Sequence, residues 1–74
     1  MENKPRCPLI GADSNIYNLI GLVQRTLKEN GFDKESKKVF DRVRNEAADY
    51  NEALCILMEY VEPVSKEEME EYEL

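Results

Sequence analysis

One segment, residues 50–61, places the strongest constraint on the fold of this chain. It reads YNEALCILMEYV, and its helical periodicity spreads apolar side chains over about 220° of the helix surface. Only Glu52, Glu59 and Glu62 mark a polar side. A helix that is apolar over more than half of its circumference needs neighbours on two sides. We therefore predict that this helix is the central element of the core, covered by the chain itself or by a second copy.

An amphipathic helix is predicted over 15–29. Asp13 or Ser14 is the expected N-cap, because a side-chain oxygen there can accept from a free first-turn amide. Gly31 is expected to end the helix as its left-handed residue. Gly21 lies at the edge of the apolar arc, which predicts that another element passes close to it. The apolar positions are Ile16, Leu19, Ile20, Val23 and Leu27.

A second amphipathic helix is predicted over 34–47, with Asp33 as its N-cap. Most of its surface is charged, so we expect a surface helix with one buried edge. Asp49 and Glu52 have the spacing of a capping box at the start of the central helix. The narrow apolar stripe of the second helix consists of Val39, Phe40, Val43 and Ala47.

These patterns predict an all-α fold, a three-helix bundle with a packed N-terminal arm and a short acidic C-terminal helix. The length of 74 residues allows one domain with a small core. We divide it into an irregular arm at 1–12, a helical core at 13–63 and an acidic segment at 64–74. Pro8, Leu9 and Ile10 should pack the arm onto the bundle. The expected capping box of the acidic helix is Ser65 and Glu68.

The charge of the chain is unevenly distributed. The formal net charge is −6, from 16 acidic and 10 basic residues. Residues 63–74 hold five of the acidic residues and one of the basic ones, so about two-thirds of the net charge lies in the last twelve residues. The body of the chain is therefore nearly balanced, and the C-terminal segment is acidic.

The composition argues against catalysis. There is no His, which removes the usual general base and the Ser-His-Asp and Cys-His arrangements. No glycine-rich phosphate loop is present, and no two acidic residues share an apolar wall. We therefore expect no enzyme, no catalytic or cofactor-binding residue, and no cofactor.

The cysteines and the hydropathy of the chain complete the exclusions. Cys7 and Cys55 are too few for a zinc site without histidine. Cys55 lies in an apolar run and is expected to be packed as a small hydrophobe; the same expectation is weaker for Cys7, near the terminus. No apolar run reaches the length of a membrane span or a signal-peptide core. We expect a cytoplasmic protein that does not bind membranes.

Two surfaces are candidates for a protein partner. The acidic segment offers a negative strip at Glu67, Glu68, Glu70 and Glu71, for which the simpler interpretation is a solvated terminus. A candidate protein interface, which could also form a homodimer, consists of Leu9, Ile10, Tyr60, Met69 and Tyr72. Tyr17 and Tyr50 are expected to pack at the edge of the core, or to anchor an interface as aromatic side chains.

Two alternative functions remain open. Lys34, Lys38 and Arg42 follow i, i+4, i+8 spacing and would line one helix face that could contact phosphates in a nucleic-acid-associated regulator. Interleaved acidic residues and the negative net charge make nucleic acid an unfavourable partner. The second alternative is an acidic inhibitor of a host defence nuclease, in which the glutamates of 64–74 imitate phosphates.

Three stretches carry a family resemblance: CPLIGADSNIYNLIG at 7–21, RTLKENG at 25–31 and YNEALCILMEYVEP at 50–63. They resemble small uncharacterised helical proteins encoded on phages, plasmids and conjugative elements of gut Firmicutes. The resemblance implies an accessory protein of a mobile element in a bacterial cytoplasm. It brings no activity, cofactor or catalytic residue with it. Together with the composition, it favours a non-enzymatic protein-interaction module.

Overall fold

Three helices lie between two short strands. The computed structural model describes residues 4–10, 15–65 and 67. The three predicted helices are confirmed, but the all-α class is wrong in the strict sense, because the strands form a parallel sheet. The elements are β1 (Arg6–Ile10), α1 (Ile16–Glu29), α2 (Asp33–Glu46), α3 (Tyr50–Tyr60) and β2 (Glu62–Ser65).

The two strands correct the predicted ends of the chain. The arm is not irregular over 6–10, and Ser65 is the last residue of β2. The predicted acidic helix after it falls almost entirely outside the described residues. Glu68, the expected capping partner of Ser65, lies outside them. A parallel pair needs a long crossover, and here the whole helical bundle connects the strands. The register pairs Arg6 with Glu62, Cys7 with Pro63 and Ile10 with Ser65, with an irregularity between Cys7 and Ile10.

Proline limits further pairing along the outer side of this sheet. The Glu62 N–H donates to the Pro5 carbonyl oxygen at 2.9 Å, so the amide of Glu62 faces β1. Successive residues of a strand face opposite ways, which places the nitrogen of Pro63 on the outer edge of β2. Proline has no N–H to donate. The outer edge of β2 is therefore a poor template for another strand.

The core forms between α1 and α3, each of which packs against three other described elements, so α3 is not the single central helix that its wide apolar surface predicts. α3 packs against α1 and α2, and β2 packs on it as well, while β1 packs on α1. The sheet therefore lies against α1 and α3, and α2 contacts the same two helices. The fully buried apolar side chains come from every element or its flank: Cys7, Val23, Leu27, Val39, Leu57 and Val61.

The helix termini differ in how well the sequence predicts them. Asn15 caps α1, its Oδ1 accepting from the Tyr17 N–H at 2.9 Å, so the prediction of Asp13 or Ser14 as cap is wrong. Asp33 is the first residue of α2 and not its cap. The Asp49 cap of α3 is confirmed: its carboxylate accepts from the Glu52 N–H at 2.8 Å.

The predictions for Gly31 and Gly21 have different outcomes. Gly31 follows α1 with φ +82°, as predicted, which is a conformation that side chains disfavour. Gly21 does not face a close neighbour, because a Cβ placed there would meet nothing within 4 Å. The α1–α2 contact is made elsewhere: the Ser36 hydroxyl donates to the Gln24 carbonyl oxygen at 3.0 Å, and the Gln24 amide donates to the Ser36 carbonyl oxygen at 2.9 Å.

The two cysteines occupy opposite environments. Cys55 is exposed, so the prediction that it packs in the core is wrong. Cys7 is fully buried on β1, where the Thr26 hydroxyl lies 3.4 Å from its Sγ. Burial raises the pKa of the Cys7 thiol, and the hydrogen bond from Thr26 acts in the opposite direction. Both the access and the thiolate fraction of Cys7 are therefore low.

We expect the two thiols of the folded protein to react with a disulfide reagent in two separate phases. Cys55 should react at once. Cys7 should react at least about 10³-fold more slowly, because the reagent can reach its thiol only when the fold opens. Absorbance of the released thiolate measures both phases. In Cys55→Ser the fast phase should vanish and the slow one remain; a fast phase in that variant would show that Cys7 is accessible.

Candidate protein-binding groove

A groove of about 470 Å³ lies at one end of the helical bundle. Three-residue connections join α1 to α2 and α2 to α3, and such short connections make successive helices antiparallel. The start of α1, the end of α2 and the start of α3 therefore meet at the same end. Each of these three termini contributes to the wall of the cavity, which we call the aromatic groove.

Three aromatic side chains of the groove are exposed. Tyr17 on α1 is 74% exposed, Phe40 on α2 is 37% exposed and Tyr50 on α3 is 42% exposed. They contrast with the floor, which consists of the buried core residues Ile20, Val43 and Ala53. The remaining lining residues are Ile16, Arg44, Ala47, Ala48 and Asp49. The groove is therefore a mainly apolar cleft with aromatic walls open to water.

The two charged groups of the groove differ in their freedom to bind a ligand. Asp49 already caps α3, since its carboxylate accepts from the Glu52 N–H. Arg44 is exposed, and no hydrogen bond or ion pair joins its side chain to another described residue. The first turn of α1, which lines the groove as well, contains no acidic residue. The groove therefore combines the cation of Arg44 with helix ends of both signs, since the start of α1 favours an anion and the end of α2 favours a cation.

The described lining is suited to binding, because it combines apolar and aromatic side chains with one arginine. Throughout the described part of the chain, no group of three or more His, Cys, Asp or Glu residues could hold a metal ion. What the groove can do is bury bulky apolar side chains against aromatic rings and pair one anion with Arg44.

The described members of the protein interface predicted from the sequence, Leu9, Ile10 and Tyr60, do not form one exposed surface. Ile10 is 57% exposed, whereas Leu9 packs partly against the core. Tyr60 is buried, and its hydroxyl accepts from Arg42 at 3.3 Å. Tyr60 therefore contributes to the core of this chain. Met69 and Tyr72 lie outside the described residues.

The predicted acidic strip lies almost entirely beyond the described part of the chain. Glu67 is described and exposed. Glu68, Glu70 and Glu71 are not among the described residues. The acidic strip therefore stays a prediction.

The predicted basic stripe on α2 is divided by the contacts of its last member. Lys34 and Lys38 are exposed. The Arg42 guanidinium donates to the Glu46 carboxylate at 3.1 Å and to the Glu59 carboxylate at 3.0 Å. These hydrogen bonds, first that to Glu46, raise the pKa of Arg42. Arg42 thus connects α2 to α3 and is paired with two carboxylates, which leaves two free lysines for a phosphate.

The sequence predicts no groove. It predicts that Tyr17 and Tyr50 are core-edge residues or interface anchors, and the structure exposes both in the groove. It predicts Phe40 in the apolar stripe of α2, but Phe40 is partly exposed beside them. Arg44 carried no signal that separates it from the other basic residues of α2.

Comparisons of the chain with protein-family models, with curated proteins and with solved structures find no match. Within the described ranges, no helix has the length and apolar character needed to cross a membrane.

Proposed function

We propose that this chain is a non-enzymatic protein-interaction module that binds its partner in the aromatic groove. The observation that carries the proposal is the grouping of Tyr17, Phe40 and Tyr50, all exposed, around a buried apolar floor. Large aromatic side chains are enriched in the centres of protein interfaces and supply much of their binding free energy. Exposed apolar groups that cluster in this way mark interaction sites.

The exposure of Tyr17 favours a protein over a small molecule. Small-molecule sites bury most of their ligand in a cavity, whereas a ring that is 74% exposed stands out from the surface. Only a partner with an extended surface of its own would cover this ring and fill the groove at the same time. Pro63 disfavours another common mode, the addition of a strand to the outer edge of β2.

Charge makes nucleic acid the less favourable partner. The chain has a net charge of −6, and Arg42 of the basic stripe already pairs with Glu46 and Glu59. Neutralising several phosphates needs several free cations on one face. Lys34 and Lys38 supply two. The resemblance to mobile-element proteins adds the proposed setting, a bacterial cytoplasm, in which the partner is a protein of the element or of its host.

Photo-crosslinking from the groove tests this proposal. Tyr17 is replaced by p-benzoylphenylalanine, a larger photoreactive aromatic residue, in the bacterium that encodes the protein. Arg25, exposed further along α1, is replaced in a matched control. We expect a defined crosslinked protein from position 17 and none from position 25. The captured protein, once purified, must also bind the unmodified chain. Equal products from both positions, or none from position 17, would contradict the proposal.

A further inference from the structure

The sequence that follows β2 contains acidic and apolar side chains that are complementary to the arginine and the aromatic walls of the groove. Residues 66–74 contain five glutamates and one lysine. Met69, Tyr72 and Leu74 are interspersed among the glutamates. A segment that served only solubility would have no need of such side chains. Methionine packs well against aromatic rings, and a glutamate can pair with the free guanidinium of Arg44.

The direction of β2 brings this segment toward the groove. Cys7 of β1 lies beside Thr26, in the C-terminal half of α1, and β2 begins just after α3 ends. The parallel strands therefore run from the end of the bundle where α1 ends toward the end where it begins. Ser65 pairs with Ile10, five residues before the Asn15 cap of α1.

The segment is also long enough. Nine residues span about 30 Å when extended and about 14 Å as a helix, and Ser65, from which they start, already lies at the groove end of the bundle. From Ser65 the chain can therefore pass around the start of α1 and enter the groove between Tyr17 and Arg44.

From the free cation, the aromatic walls and the reach of the chain, we propose that residues 66–74 bind in the aromatic groove of the same chain. This inference rests on the proposed function of the groove and adds its regulation. The segment acts as an internal ligand that an outside partner must displace. The apolar contacts come from Met69 and Tyr72, and the anion that Arg44 pairs with comes from the surrounding glutamates.

Paramagnetic broadening of amide signals in the full chain tests the contact. Cys55→Ser removes the exposed thiol and Glu73→Cys places a nitroxide label in the segment, while Cys7 stays buried. We expect loss of the amide signals of Tyr17, Phe40 and Arg44 relative to the reduced label. Signals from the far end of α1, near Glu29, should remain.

Two matched charge reversals establish the role of Arg44. Arg44→Glu and Lys34→Glu change the net charge equally, and both residues are exposed on α2. Only Arg44→Glu should restore the groove signals. A variant with Met69→Ser and Tyr72→Ser should restore them too, without altering the described fold. The proposal would be overturned if the groove signals persist in the nitroxide-labelled chain without a charge reversal. It would also be overturned if they respond equally to both reversals.

Mixing separates a contact within one chain from a contact between chains. Isotope-labelled chain without nitroxide is mixed with nitroxide-labelled chain without isotope, and its groove signals should be retained. Their loss in the mixture would overturn the same-chain contact. If broadening is absent but the crosslinker at position 17 still captures a partner, only this inference fails. If broadening is present and even the Met69→Ser, Tyr72→Ser chain captures no partner, the proposed function fails instead.

Discussion

Replacing Leu57 by alanine should lower the free energy of unfolding by about 2–5 kcal/mol, the usual cost of a large cavity in a core. Leu57 is fully buried in the middle of α3, the helix that α1, α2 and the sheet all contact. Domains have total stabilities of about 0.05–0.15 kcal/mol per residue. A chain of 74 residues would therefore lose a large share of its stability through this one substitution.

Urea denaturation followed by circular dichroism measures this loss. Met58→Ala is the matched control, because Met58 is the next residue of the same helix and is 41% exposed. The control should change the free energy of unfolding by less than about 1 kcal/mol. Equal losses for the two variants would show that α3 is not covered as described.

Replacing Tyr17 by alanine should weaken binding of the partner about 30-fold or more, since an interface anchor contributes about 2 kcal/mol or more. The side chain is 74% exposed, so the fold itself should lose little stability. Binding to the purified partner captured by crosslinking is measured by isothermal titration calorimetry.

Ile10→Ala serves as the control for this second prediction. Ile10 is also a large exposed hydrophobic residue, but it lies on β1 and does not line the groove. It belongs to the interface predicted from the sequence alone. We expect the affinity of the Ile10→Ala chain for the partner to stay within about threefold of that of the unsubstituted chain, which corresponds to a surface substitution worth about 0.5 kcal/mol. A larger loss for Ile10→Ala than for Tyr17→Ala would place the interface at the sheet.

The helices could be predicted because their signals are local. The apolar spacing of α1, the Asp49 cap and the turn at Gly31 each depend on neighbouring residues only. The sheet depends on residues far apart in sequence: Arg6 pairs with Glu62 across the whole bundle. Each strand has four or five residues and contains a proline. Strands this short show no clear alternation, so the pattern did not separate them from an irregular arm.

The sequence also could not predict which part of α3 is exposed, because that depends on how distant parts of the chain pack around it. The broad apolar arc of α3 predicts neighbours on two sides, but a sheet of two strands is narrow. It leaves Cys55 and Met58 exposed. The groove is likewise a tertiary property, because it exists only where three helix termini meet. The sequence could mark Tyr17 and Tyr50 as exposed candidates, but it could not place Phe40 beside them.

The most direct test of the proposed groove is an NMR titration of the isotope-labelled chain with the purified partner that crosslinking identifies. We expect amide shift changes to concentrate at residues 16–20, 40–48 and 49–53, which form the walls and floor of the groove. Residues 6–10 and 62–65 should change little. Shift changes confined to the two strands, or to the face of α2 that carries Lys34 and Lys38, would contradict a partner site in the aromatic groove.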